Sequence, residues 1–145
     1  MESGRKKTFV WLTTLLYVIA ALHIVALYFF WYWSIWWYDI LVHVLGGVWI
    51  GGMALFLISK WISRDLENRF IFFGVPILAI AAIGLLWEAF EWNIDQIVLS
   101  RFSNDPVDTL SDLGAGIAGA LTYAFFLSGR ASKDRGIKDS EFAND

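Results

Sequence analysis

Four apolar runs, roughly 8–31, 38–59, 70–92 and 109–128, divide the chain, with short polar or aromatic joints between them. Each approaches the about 20 residues that a helix needs to cross about 30 Å of hydrocarbon. Only helices or closed barrels satisfy every backbone group in lipid, and these runs lack the polar alternation of barrel strands. The pattern predicts an all-α membrane protein built as a four-transmembrane-helix bundle over 1–128. A polar tail of mixed charge over 129–145 is expected to be weakly ordered. Ionisable residues break the pattern mainly at one end. Asp39 and His43 open the second run, Glu88, Glu91 and Asp95 close the third, and Asp105, Asp108 and Asp112 lead into the fourth.

Composition agrees with the pattern, since 58% of the 145 residues are hydrophobic and 18% are aromatic, against about 45–50% apolar in soluble domains. Arg5, Lys6 and Lys7 precede the first run as in a signal peptide. That run is too long for a signal peptide, and it ends in aromatics without a small-residue cleavage site, so it reads as a retained span. The absence of cysteine excludes disulfides, thiolate nucleophiles, zinc–thiolate sites and iron–sulfur clusters.

Of the 11 Lys and Arg residues, all but Arg101 fall in 5–7, 60–69 and 130–138. By the positive-inside rule both termini and the 60–69 joint are cytoplasmic, with 32–38 and 96–107 outside. Trp31, Tyr32, Trp33, Trp36, Trp37 and Tyr38 form an outer aromatic belt, and Trp11 and Trp61 mark the inner boundary. The basic residues stand where orientation requires them, so nucleic acid is not an expected partner. The net charge of −3 reflects the carboxylates gathered at the opposite end.

Packing in lipid relies on close backbone approach between small residues. Gly46, Gly47, Gly51 and Gly52 in the second run and Gly114, Ala115, Gly116, Ala118, Gly119 and Ala120 in the fourth predict that these two helices are neighbours. Gly114, Gly116 and Gly119 match a dinucleotide-binding glycine pattern literally, but no strand precedes them and that reading is set aside. Pro76 is expected in the first turn of the third helix, where its missing N–H is harmless. Glu88 then lies about 18 Å further along, in the outer half of the bilayer.

Asp39 and His43 share a helix face at a spacing of four, and Glu88, Glu91 and Asp95 form one stripe at spacings of three and four. Asp108 and Asp112 repeat the device, with Asp108 expected as the N-cap of the fourth helix and Asn104-Asp105-Pro106 as the turn before it. Charged groups within a bilayer are costly and normally line a cavity, a proton path or a metal site. Capping or wet helix ends would account for Asp39, Asp95, Asp105 and Asp108, whereas Glu88, Glu91 and Asp112 have no obvious structural duty. His43 is read as either a hydrogen-bonded ring or a metal ligand, and His23, alone on an apolar helix, as hydrogen-bonded to a neighbour. Carboxylates crowded this closely either share protons or bind a divalent cation. The candidate metal ligands are His43, Glu88, Glu91, Asp108 and Asp112, the candidate ions magnesium, manganese, calcium or zinc, and the candidate catalytic bases Glu88 and Glu91. Asp39, Asp95, Asp105 and Arg101 are candidate binding residues, Arg101 through phosphate or carboxylate recognition.

The order Tyr38-Asp39, His43, Gly46-Gly47, then Trp87-Glu88-Ala89-Phe90-Glu91-Trp92, then Asp105-Pro106-Val107-Asp108-Thr109-Leu110-Ser111-Asp112 resembles the VanZ-like superfamily. Within it, these spaced polar positions are most similar to the small bacterial inner-membrane proteins of the YjdF type. The resemblance implies a multi-pass inner-membrane protein engaged with a lipid or lipid-linked envelope substrate. The chain departs in being shorter, with four spans, and Gln96 and Arg101 match the family's third-helix polar positions too loosely to take a role. Three functions stay open: metal-assisted chemistry at an outward-facing site, a non-enzymatic binding or accessory role, and a proton or ion conduit. A conduit would need a route inward that one chain's residues do not supply, though a homo-oligomer could.

Overall fold

The computed structural model describes residues 2–59, 68–94 and 106–142. The long helices are α1 (Glu2–Tyr28), α3 (Tyr38–Ile58), α4 (Arg69–Ile94) and α5 (Pro106–Phe142), with the single turn α2 (Trp31–Ser34) between α1 and α3. Four stretches are long and apolar enough to span a bilayer: Ser3–Tyr28, Tyr38–Ile58, Arg69–Phe90 and Val107–Gly129. Their hydropathy comes from a high content of Leu, Ile, Val, Phe and Ala. α5 continues past its apolar part into 130–142 without interruption.

α3 and α5 make the most extensive interface; α4 lies against both, and α1 packs on α3. The α3–α5 contact explains the glycines. A Cβ on Gly47 would strike the backbone carbonyl of Gly116, and a Cβ on Gly119 would strike that of Val44. At Gly51 it would stand 2.9 Å from Ala120 Cα and Cβ. Dispersion and close approach must hold helices together in lipid, since apolar side chains gain little by leaving one hydrocarbon for another. The matched steps are Gly47 with Gly116 and Gly51 with Ala120, so residue numbers rise together and the two helices run parallel.

α4 runs antiparallel to α5 and presents Pro76, Ile80, Gly84 and Glu88, a spacing of four that keeps one face towards its neighbours. Ile80 lies over Gly116, and Leu113 lies over Gly84. Near the other end of the pair, the rings of Phe73 and Phe125 meet with centroids 4.9 Å apart. Pro76 is not in the first turn as expected: α4 begins at Arg69, placing the proline about two turns inside. There it cannot donate to the carbonyl one turn back, a loss that buried helices in membranes accommodate. It is fully buried, with its Cβ 3.3 Å from where a Cβ on Gly51 would lie.

α1 uses another face of α3. Leu12 is completely buried against Gly52, where an added Cβ would come within 2.8 Å of Leu12 Cδ2. At the basic end Arg5 stacks over Phe56, 4.4 Å from its centroid, and donates from Nη1 to Ser59 Oγ at 3.4 Å. At the opposite end the Tyr38 hydroxyl donates to the Leu22 carbonyl at 2.9 Å. Phe30, between α1 and α2, adopts the left-handed conformation (φ 58°, ψ 33°), an unusual one for a bulky residue. Ser34 Oγ donates to the Phe30 carbonyl at 2.8 Å across this reversal.

The packing predicts unequal responses to the smallest enlargement. Gly47→Ala and Gly119→Ala are each expected to lose about 1–3 kcal/mol of stability by overpacking. Gly46→Ala and Gly114→Ala, with no heavy atom within 4 Å of the added methyl, should stay within about 0.5 kcal/mol of the parent. Unfolding in detergent checks this, and equal midpoints for Gly47→Ala and Gly46→Ala would contradict the interface.

Candidate functional site

Three packing stripes end in polar residues at the same end of the bundle. On α3, His43 precedes Gly47, Gly51 and Leu55 at steps of four, and on α5 Asp112 precedes Gly116, Ala120 and Ala124 in the same way. The register that seats Gly47 on Gly116 therefore sets His43 against Asp112 one step further out. α4 adds Glu88, one step beyond Gly84. The polar residues are thus terminal members of the stripes that hold the helices together.

His43 Nε2 lies 3.5 Å from Asp39 Oδ1 and 3.6 Å from Asp112 Oδ2. One ligand atom from each of Asp39, His43 and Asp112 falls within 4.8 Å of the other two. Asp112 is 5% exposed and is the buried charged residue among those described, while Asp39 and His43 are half-buried. Glu88 Oε2 accepts a hydrogen bond from Thr109 Oγ1 at 2.8 Å, tying α4 to α5 one turn from Asp112.

The donor set suits a cation. Tetrahedral ligands with bonds of about 2.0–2.1 Å stand about 3.3 Å apart, close to the two nitrogen–oxygen separations found here. Those separations are long for direct hydrogen bonds, which fall near 2.7–3.2 Å. Three protein ligands would leave a coordination position open, the arrangement of catalytic rather than structural sites.

Of the residues singled out in the sequence, His43 and Asp112 meet, Asp39 joins them, and Glu88 stands beside them through Thr109. Asp108 is exposed in the first turn of α5, three positions into a helix whose first residue is Pro106. It is therefore not the N-cap, because proline, with its preset φ and missing N–H, starts the helix earlier. A carboxylate there still complements the positive end of the helix dipole. Asp95, Arg101 and Asp105 lie outside the described residues, as does the side chain of Glu91.

Two participants have no ionisable signal. Thr109 looked like ordinary helix start, yet its spacing of three from Asp112 puts both on one face of α5. Tyr38 is buried beside Asp39 and, with its bond to Leu22, fixes the start of α3. His23 takes the expected hydrogen-bonded role: its Nδ1 is 2.7 Å from the Tyr32 hydroxyl, and its ring stands edge-on to Trp87, centroids 6.4 Å apart. The rings of Tyr32 and Tyr38 also meet edge-on, 5.4 Å between centroids. α2 is thereby fastened to both neighbours at the end where the polar residues gather.

Residues 4–133 match the family described as predicted membrane protein DUF2238, which is most of the chain, and the protein belongs to that family. No curated protein and no solved structure matches it.

The Glu88–Thr109 bond generates a measurable coupling. In a double-mutant cycle of Glu88→Ala and Thr109→Val, the interaction energy should be about 0.6 kcal/mol and no more than about 1.7 kcal/mol, the range for polar contacts between membrane helices. Additive effects on unfolding in detergent would show that the two side chains do not meet.

Proposed function

We propose that this member of the DUF2238 family carries a divalent-cation site facing the outer leaflet, where it acts on a lipid or lipid-linked envelope substrate. The observation that carries the reading is the convergence of Asp39, His43 and Asp112 ligand atoms within 4.8 Å across two helices. Orientation is part of the proposal: the basic residues at the start of α1 and α4 place that end in the cytoplasm by the positive-inside rule and turn the acidic end outward. The resemblance of the Asp39/His43, Glu88/Glu91 and Asp108/Asp112 spacings to YjdF-type proteins of the VanZ-like superfamily supports an inner-membrane location and an envelope substrate.

Asp39, His43 and Asp112 would hold the ion. One nitrogen donor, 3.5 and 3.6 Å from two carboxylate oxygens, favours zinc or manganese over calcium, which takes six to eight oxygens at longer range. A cation held there supplies a Lewis acid for a phosphoryl or carbonyl oxygen and lowers the pKa of bound water. Glu88 keeps one carboxylate oxygen on Thr109, leaving the other to accept a proton from a nucleophile. Tyr38 and α2 position the cluster by fixing the start of α3. Asp108, exposed at the start of α5, extends the negative surface towards a cationic or metal-bridged headgroup.

A second reading is a binding or accessory protein in which the same residues pin helices. It is favoured by His43–Asp112 joining α3 to α5 and by Glu88–Thr109 joining α4 to α5. A proton conduit has less support, because 44–58, 70–87 and 113–129 contain no Asp, Glu, Lys, Arg or His to continue a path towards the basic end.

Calorimetric titration of the purified protein with zinc and manganese separates the first two readings. Asp112→Asn and His43→Ala are expected to weaken binding at least about tenfold, while Glu88→Gln changes affinity by no more than a few-fold. Metal content identical in the parent and in Asp112→Asn would end the cation reading. A loss of stability in Asp112→Asn without any metal effect would favour helix pinning.

A further inference from the structure

The geometry points to a second ligand site at the basic end of the bundle, a groove between α1 and α5 that holds one anionic phospholipid of the adjacent leaflet. α1 packs on α3 and α2, while its backbone makes no close approach to α5. The gap between them is bridged by side chains alone: Trp11 stacks on Tyr123 with centroids 5.7 Å apart and an interplanar angle of 26°. Beside that stack lies a cavity of about 470 Å³, within the size range of small-molecule sites.

The lining of the groove is graded. Lys7 and Thr8 stand at its mouth, and Trp11, Tyr123, Phe126 and Leu127 form its walls. A cation and a hydroxyl at one end of an aromatic and aliphatic trough match a phosphate headgroup followed by an acyl chain. A shallower depression on the same end of α1 is lined by Ser3, Lys6, Val10 and Thr14 and shares Lys7 and Trp11 with the first. Among the described residues no carboxylate lines either one. Lys7 lines both depressions and Lys6, next to it, lines the shallower one, so a single headgroup over the pair can send its two chains to either side of Trp11. Trp11 itself suits this depth, since its amphipathic ring favours the headgroup level.

Arg5 makes the selectivity of the arrangement plain. It is drawn away to Phe56 and Ser59, where it fastens α1 to α3, and lines neither depression. Lysine near a membrane surface attracts anionic lipid by an amount equivalent to about fivefold in affinity per residue.

The test is native mass spectrometry of the full chain released from detergent with phosphatidylglycerol or phosphatidylcholine of the same acyl chains. Phosphatidylglycerol should bind more tightly, and Lys6→Gln with Lys7→Gln should reduce its affinity about 30-fold while leaving phosphatidylcholine unchanged. Thr8→Phe keeps every charge but fills the mouth, and it should abolish the preference in a protein whose unfolding midpoint is unaltered. Glycerol phosphate without acyl chains should not compete at concentrations that saturate with lipid. Equal affinity for the two lipids overturns the site. So does a preference that survives Thr8→Phe, which would reduce the effect to diffuse surface charge, and so does effective competition by glycerol phosphate, which would mark a soluble-anion site.

Discussion

The parallel contact of α3 and α5 is the constraint from which the rest follows. Gly47 against Gly116 and Gly119 against Val44 bring two backbones closer than any side chain would permit. In hydrocarbon, close approach replaces the hydrophobic drive that organises soluble cores. Once that register is set, α4 has a groove to fill with Pro76 and Ile80, and α3 has a second face free to receive Leu12 of α1. The register also determines the chemistry, because the next step of the same repeat is His43 against Asp112. Packing and polar cluster are one pattern with different side chains at its end.

The four spans were legible in the sequence because a long apolar run admits few structures in lipid. The pairing of the second and fourth spans was legible from glycine and alanine content. Register was not: spacing within a helix tells which residues share a face, whereas meeting across helices depends on axial offset, which the glycine contacts decide. Hence Asp39 and His43 could be joined in advance, but Asp112 as their partner could not be distinguished from Asp108 or Glu91. The Thr109 hydroxyl on Glu88 was hidden because threonine is unremarkable at a helix start. Two local readings failed for one reason, the position of a helix start. Arg69 begins α4 two turns before Pro76, and Pro106 begins α5 before Asp108 can cap it.

The aromatic belt also acquires a mechanical part. Tyr32 reaches His23, Tyr38 reaches Leu22, and the two tyrosine rings meet, so the joint between α1 and α3 is fastened at three points. These contacts hold Phe30 in a conformation that its side chain disfavours by about 1–2 kcal/mol. The same fastening keeps Tyr38, and with it Asp39 and His43, in fixed relation to α1. Residues that sequence assigns to the membrane boundary thereby also position the polar cluster.

Parallel alignment of α3 and α5 has a consequence for how the molecule is made. Two like-directed spans cannot be adjacent in the chain, so a return span, α4, must be threaded between them before they can pair. During synthesis the glycine face of α3 enters the bilayer with its partner still in the ribosome, and His43 waits there without Asp112. The polar cluster therefore cannot assemble until α5 has entered the bilayer beside α3.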